Sequence, residues 1–208
     1  MSGLGTSQPG TAQKHSFQAF SKEVGNILRN PYRCLDFQAS RDAVFGFTGI
    51  LAGILGFMLW GWVLLVRIDR LFGSYFKDGL MRIILGERIV SVLLMTSLCS
   101  LVVLFGTVWM FGSLLGTRKS DVRQLITVLG SVQWVAGAGI TAAAVITLLL
   151  PNLGWIVLLA SLITVGMLTL QIAYDLFGTA TASSRYRMLI GSAIVYPLGF
   201  FVLFSTLV

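Results

Sequence analysis

The sequence predicts an all-α membrane protein: a polytopic helix bundle with five transmembrane helices and an N-terminal amphipathic surface helix. Of the 208 residues, 56% are hydrophobic and only 11% are charged, whereas soluble domains carry about 45–50% and about 25%. The mean hydropathy is +0.86. Several stretches with few or no charges reach the roughly 20 residues that a helix needs to cross a bilayer. The lipid bilayer is therefore the first expected partner.

The chain ahead of the first span is mostly polar. We expect residues 1–15 to be a disordered tail, because almost nothing apolar there offsets the entropy cost of ordering. Residues 16–43 are expected to form a cytoplasmic amphipathic helix and a linker. Apolar residues recur there at helical spacing: Phe17, Phe20, Val24, Ile27 and Leu28. The pair Asn30-Pro31 should end this helix, since proline disfavours a helical conformation in the residue before it.

Residues 44–208 are predicted to form the five-span transmembrane domain. The spans are expected at 44–66, 89–115, 125–150, 153–177 and 188–208. Only Pro151 and Asn152 separate the third span from the fourth, so these two should form a tight antiparallel hairpin. The segment 67–88 mixes apolar and charged residues, which suits an interfacial or re-entrant helix.

The distribution of Lys and Arg predicts the orientation. Placing the amino end inside puts ten basic residues on the cytoplasmic side: Lys14, Lys22, Arg29, Arg33, Arg41, Arg118, Lys119, Arg123, Arg185 and Arg187. The outer side then holds five: Arg67, Arg70, Lys77, Arg82 and Arg88. Because short cytoplasmic loops carry the excess of basic residues, we expect a multi-pass protein of a bacterial plasma membrane, with a cytoplasmic N-terminus and the C-terminus outside.

Small residues are concentrated in the first and third spans. Gly49 and Gly53 form a GxxxG pattern that continues to Gly56, and Ala138 and Ala142 have the same spacing. Such spacing lets helix backbones approach closely in lipid. Packing of the two spans within one bundle is the favoured interpretation, and a face for a partner or for a second copy of the chain is the alternative.

Two polar residues within the spans are candidates for an intramembrane site. Asp175, near the end of the fourth span, could be a proton or cation site, since acids inside a membrane are costly and usually functional. An interfacial ion pair with Arg185 or Arg187 is the favoured alternative. Gln133 and Gln171 are explained by interhelical hydrogen bonds, although Gln133 also belongs to any polar site in the membrane interior.

A charged hinge precedes the third span. Arg118, Lys119 and Arg123 are expected to hold it at the inner face, and Asp121 can cap the following helix. Together with Arg29 and Arg33, these four residues are the candidate partner-binding set.

Several classes of function lack the residues they need. His15 is the only histidine, and it lies at the end of the predicted tail, so a catalytic triad or a histidine-based metal site is not expected. We therefore expect no catalytic residue, cofactor or metal site, and not an enzyme. The basic residues sit in ones and twos beside apolar runs, as insertion into a membrane requires, so nucleic acid is not an expected partner.

The order of these elements resembles a known family. The helix "FQAFSKEVGNILRNPYRCLDF", a span that begins "DAVFGF" and the segment "SDVRQLITVLGSVQW" before the third span are similar to the bacterial branch of the five-span Yip family. The resemblance implies a non-enzymatic protein that works through other membrane proteins, with "RNPYRCLDF" and "SDVRQLI" as the surfaces read by a partner. The chain lacks the Asp-Leu-Tyr-Gly-Pro type motif of eukaryotic members, so Rab binding is not implied.

The leading functional expectation is an integral membrane adaptor or accessory protein. It would bind and organise another membrane complex, such as a transport or export system, by helix packing and by its cytoplasmic surfaces. The alternative is a small transporter, exporter or channel subunit, which should show a polar pathway across the membrane.

Overall fold

The computed structural model describes residues 9–72, 89–179 and 181–207. Six α-helices follow one another: α1 (Pro9–Arg29), α2 (Ala43–Phe72), α3 (Ile89–Leu115), α4 (Val122–Leu149), α5 (Pro151–Phe177) and α6 (Ala182–Leu207). A 3₁₀ helix, Pro31–Asp36, lies between α1 and α2. The described chain contains no strand. Helices α2 to α6 are each long and apolar enough to cross a membrane, so the predicted all-α, five-span class is confirmed.

The helices extend beyond the apolar stretches that predicted them. α1 begins at Pro9, ahead of the expected start at Ser16, and residues 1–8 of the predicted tail lie outside the described residues. α6 begins at Ala182 rather than at residue 188. The reason is an N-cap at Thr181, whose Oγ1 accepts a hydrogen bond from Ser184 N at 3.2 Å. The predicted interfacial or re-entrant segment lies outside the described residues from residue 73 onwards.

Proline begins α5 and glycine ends it, at opposite ends of the bundle. α5 begins at Pro151, immediately after Leu150, so α4 and α5 form the expected tight hairpin. At its other end, α5 stops at Gly178, which has a left-handed φ of 63°. The N–H of Thr179 donates to the carbonyl oxygen of Tyr174 at 2.9 Å, as in the glycine caps that commonly end helices.

α4 is the central helix of the bundle. Fourteen of its 28 residues are buried, and it packs against α2 and α5. Glycines line the contact with α2: a Cβ placed at Gly130 would lie 2.6 Å from the carbonyl oxygen of Gly46, and one at Gly56 would lie 2.9 Å from that of Gly137. Gly49 likewise lies against the Gly130 carbonyl group. Two backbones this close leave no room for side chains.

The structure corrects the predicted packing face of α4. Ala138 and Ala142 are exposed, and the residues that face α2 are Gly130, Gln133 and Gly137. The four-residue spacing of the two alanines is real, but it lies on a different side of the helix.

The five spans form two groups. α2, α4 and α5 pack closely, whereas α3 packs mainly against α6. α3 meets the first group near its two ends, through Leu93 against Gly61 of α2 and through Gly112 against Phe177 of α5. α5 and α6 hardly approach each other over most of their length. A cavity of about 550 Å³ lies between the two groups.

α1 and the 3₁₀ helix pack on the bundle at the end where α2 and α4 begin. We call α1, the 3₁₀ helix and the linker that follows it the cap, and this end of the bundle the capped end. The capped end also contains the turns 116–121 and 178–179. Phe20 of α1 stacks on Phe45 of α2, with ring centroids 5.1 Å apart. Ile27 is fully buried, although Leu28 remains 43% exposed. The apolar face of α1 is therefore directed at other helices of the same chain.

Gly130→Ala should destabilise the bundle, because the added methyl group would meet the α2 backbone at Gly46. Overpacking of this kind costs about 1–3 kcal/mol. The measurement is the free energy of unfolding of the full chain in an SDS titration. Gly106→Ala is the matched control, since a Cβ at Gly106 meets no heavy atom within 4 Å. Equal stability of the two variants would contradict the close approach of α2 and α4.

Candidate functional site

The two segments proposed as partner-reading surfaces meet at the side chain of Gln124, in the first turn of α4. Its Oε1 accepts a hydrogen bond from Ala39 N at 2.9 Å. Its Nε2 donates to the carbonyl oxygen of Phe37. A single amide thus satisfies two backbone groups of the linker that follows the 3₁₀ helix, and such side chain to backbone bonds each contribute about 0.5–1.5 kcal/mol. "RNPYRCLDF" and "SDVRQLI" therefore form one composite surface.

The 3₁₀ helix is held to α5 and α1 as well. The hydroxyl of Tyr32 donates to Oε1 of Gln171 on α5, so Gln171 bonds to the cap rather than to another span. Arg33 Nε lies 2.8 Å from Glu23 Oε1 of α1. Glu23 also accepts a hydrogen bond from Asn26 Nδ2 at 3.1 Å. Polar contacts from three directions set the orientation of this short helix.

Beneath these polar contacts lies an apolar core. Ile27 and Cys34 are fully buried and cluster with Leu125 of α4 and with Ile172 and Phe177 of α5. Burial raises the pKa of the Cys34 thiol from 9.0 to about 12. Removing a thiolate from water is costly, so Cys34 stays protonated and unreactive while the cap is in place.

The outer surface of the cap is polar and carries both signs of charge. A hollow of about 580 Å³ is lined by Glu23, Asn30, Tyr32, Arg33, Asp36, Phe37 and Arg41. Arg33 and Arg41 are half or more exposed in their side chains even though each pairs with an acid. Arg29 is also exposed. The hollow suits polar groups of a protein surface better than an apolar ligand.

The charged hinge lies at the same end and is fixed by its backbone. Arg118 N donates to the carbonyl oxygen of Phe177 at 3.0 Å, and Thr117 Oγ1 donates to that of Gly178 at 2.7 Å. The side chains of Arg118, Lys119, Asp121 and Arg123 remain exposed. Asp121 occupies the N-cap position of α4, but its carboxylate makes no capping hydrogen bond. The hinge thus combines a hydrogen-bonded backbone with exposed charged side chains.

Asp175 lies at the capped end, in the last turn of α5, and is exposed. It does not pair with Arg185, whose Nε donates to the carbonyl oxygen of Thr179 at 2.9 Å. The Arg185 guanidinium lies over the ring of Tyr174, 5.7 Å from its centroid. The structure therefore places Asp175 at one end of its helix and not in the cavity that Gln133 lines.

Gln133 is only 4% exposed and lines the cavity between the two helix groups. Within the described part of the chain, its Nε2 has no hydrogen-bond partner. The sequence did not single out Ser192, which also lines the cavity and whose hydroxyl is also unpartnered. A serine in an apolar run gives no sign by itself of which side it will face.

Gln124→Ala should release the cap and expose Cys34. In a Cys99→Ala background, we expect the rate of maleimide labelling of Cys34 at pH 8 to rise about tenfold, because two hydrogen bonds are lost and two linker groups lose their partners. Gln38→Ala is the matched control, since Gln38 is an exposed neighbour. Unchanged labelling in Gln124→Ala would contradict the conclusion that Gln124 holds the linker and the 3₁₀ helix on the bundle.

The same thiol makes cap docking dependent on pH. The released thiol ionises near its ordinary pKa of 9.0 and the docked one near 12, so docking is unaffected below pH 9 and weakens as the pH rises towards 12. The fluorescence of a probe on α1, which reports whether the cap is docked, should show this loss as the pH rises. Cys34→Ser should remove the pH dependence. A loss of docking that is identical in Cys34→Ser would contradict the assignment to this thiol.

Comparison with known proteins assigns no family to the chain: no family model, curated protein or solved structure matches it. A function for the chain is therefore inferred from the geometry described above.

Proposed function

We propose that the chain is a non-enzymatic integral membrane adaptor or accessory protein that binds and organises another membrane complex, such as a transport or export system. The single observation that carries this proposal is the composite surface at the capped end, where Gln124 joins the linker of the 3₁₀ helix to the start of α4. Residues far apart in sequence are thereby presented on one supported surface.

The build of this surface supports recognition of a protein partner. Its backbone is held by hydrogen bonds and by a buried core, so little conformational entropy remains to be lost on binding. Its side chains are exposed and charged, with basic residues on the hinge and mixed charges around the polar hollow. Charged rims of this kind steer association and select partners.

The proposal includes a location and an orientation. The capped end carries the 3₁₀ helix and the basic hinge, and the distribution of Lys and Arg favours the cytoplasmic side for it. We place the protein in a bacterial plasma membrane, with the carboxyl terminus outside, as a Yip-like protein. A second copy of the chain is an alternative partner for the exposed apolar faces.

A small transporter, exporter or channel subunit is the second candidate function. The observation that favours it is the interior cavity with the unpartnered amide of Gln133. No charged residue is found among the described residues that line this cavity, and the nearest candidate acid, Asp175, is exposed at the capped end. Ion transport therefore ranks below the adaptor function. Lost activity with normal partner binding in Asp175→Asn would reverse that order.

Replacing Arg118, Lys119 and Arg123 together by Ala should lower recovery of the partner complex about tenfold, because a rim of positive charge is removed without disturbing the buried core. The full chain would be tagged at its amino end, crosslinked mildly in native membranes, solubilised and analysed by mass spectrometry. The expected wild-type result is one membrane complex in stoichiometric amount.

The matched control is Arg118→Lys with Arg123→Lys, which keeps the charge and should keep the partner. Recovery of the wild-type chain alone, or only with copies of itself, would refute the adaptor proposal. Equal recovery with the triple Ala variant would place the partner contact elsewhere.

A further inference from the structure

The cavity between the two helix groups combines a mainly apolar lining with unpartnered hydrogen-bonding groups. Gln133 and Ser192 are 4% and 9% exposed, and both line the cavity. Neither Gln133 Nε2 nor Ser192 Oγ has a partner within the described residues. Leaving a buried polar group unpaired costs about 1–3 kcal/mol, so such groups in a roomy cavity indicate a ligand that supplies the missing bonds.

A second polar pair lies on the facing helices. Ser100 Oγ of α3 and Tyr196 OH of α6 are 2.6 Å apart, and both residues line the cavity. Since only one hydroxyl proton is used between them, the pair keeps a further donor. All the polar groups are neutral, and no charged residue lies among the described lining residues. The part of the ligand that enters must therefore be uncharged.

The depth of Gln133 restricts the ligand further. α4 has 28 residues and is about 42 Å long, so Gln133 lies about 17 Å from its first residue. With a hydrocarbon layer of about 30 Å, the amide is roughly 10 Å inside the apolar region. A phospholipid keeps its charged headgroup at the interface, whereas a neutral lipid can carry a carbonyl group to this depth.

The opening of the cavity shows how the ligand would enter. Leu162 and Gly166 of α5 and Ala193 of α6 line it, and these two helices hardly approach each other. The gap therefore faces the bilayer. A volume of about 550 Å³ falls within the range of about 300–1,000 Å³ found for small-molecule sites. A transmembrane helix, about 10–12 Å across with its side chains, is too large for it.

We propose that this cavity binds a neutral lipid from the bilayer, whose carbonyl oxygen accepts a hydrogen bond from Gln133 and whose hydrocarbon chain lies between the two helix groups. This inference is independent of the adaptor function, since it uses none of the residues at the capped end.

The test uses the full chain in phosphatidylcholine nanodiscs and three probes with the same diazirine-bearing chains: a diacylglycerol, the ether-linked dialkylglycerol and a phosphatidylcholine. Labelling is read by mass spectrometry of the protein. The diacylglycerol should label cavity residues at least fivefold more than either other probe, because it alone is both neutral and equipped with a carbonyl oxygen. Gln133→Leu should lower its labelling about fivefold or more, to the level of the ether.

Gly166→Phe provides a test that does not depend on Gln133. A Cβ at Gly166 meets no heavy atom within 4 Å, although the residue lines the cavity. A large side chain there should therefore fill the opening of the cavity without disturbing the fold, and it should abolish labelling of the cavity residues. Gly106→Phe is the matched control, because Gly106 is equally unobstructed but is exposed away from the cavity. Both variants would first be checked for an unchanged unfolding midpoint, and Gly166→Leu would replace Gly166→Phe if that variant failed the check.

Three results would overturn the proposal. If the diacylglycerol and the phosphatidylcholine label equally, with no effect of Gly166→Phe, the result would mean contact with bulk lipid only. No labelling of cavity residues by any probe would mean that water satisfies Gln133. Labelling that occurs after purification but is blocked in native membranes by a copurifying protein would mean that a partner covers the opening.

Discussion

The close approach of the α2 and α4 backbones is the constraint on which the rest of the structure depends. Within lipid, helices gain nothing from hydrophobic burial against one another, so small residues that allow backbone contact decide which spans pair. Gly46 and Gly49 admit the α4 backbone near Gly130, and Gly56 does so near Gly137. This contact makes α4 central and leaves α3 and α6 to close the bundle only partly.

The same contact positions both candidate sites. A Cβ at Gly53 would lie 3.5 Å from Cβ and Oε1 of Gln133, which is an ordinary contact distance, so the Gln133 side chain packs directly beside α2 at the α2–α4 contact. At the other site, the beginning of α2 brings Phe45 beneath Phe20 of α1, while the beginning of α4 presents Gln124 to the linker. A membrane-packing motif thus organises an extramembrane surface.

Hydropathy and periodicity were sufficient for the number of spans, the hairpin at Pro151 and the amphipathic character of α1, because these properties depend on local sequence. The docking of the cap was not predictable in the same way, since Gln124 and Ala39 are 85 residues apart and an isolated glutamine gives no sign of its partner. The packing face of α4 was missed for a different reason. Small residues occur on two sides of that helix, and spacing alone does not distinguish Gly130 and Gly137 from Ala138 and Ala142.

Phe177 connects features that otherwise look separate. Its buried ring packs against Gly112 of α3, and its Cβ lies against Gly116, just after that helix. Its carbonyl oxygen accepts a hydrogen bond from the backbone N–H of Arg118 at 3.0 Å. α3 also supplies one wall of the interior cavity. If the proposed lipid displaced that wall, the displacement would reach the charged hinge through this ring. Coupling between two binding events is reciprocal. The lipid composition around the protein would then set its affinity for a partner, and the partner would in turn set which lipids it retains.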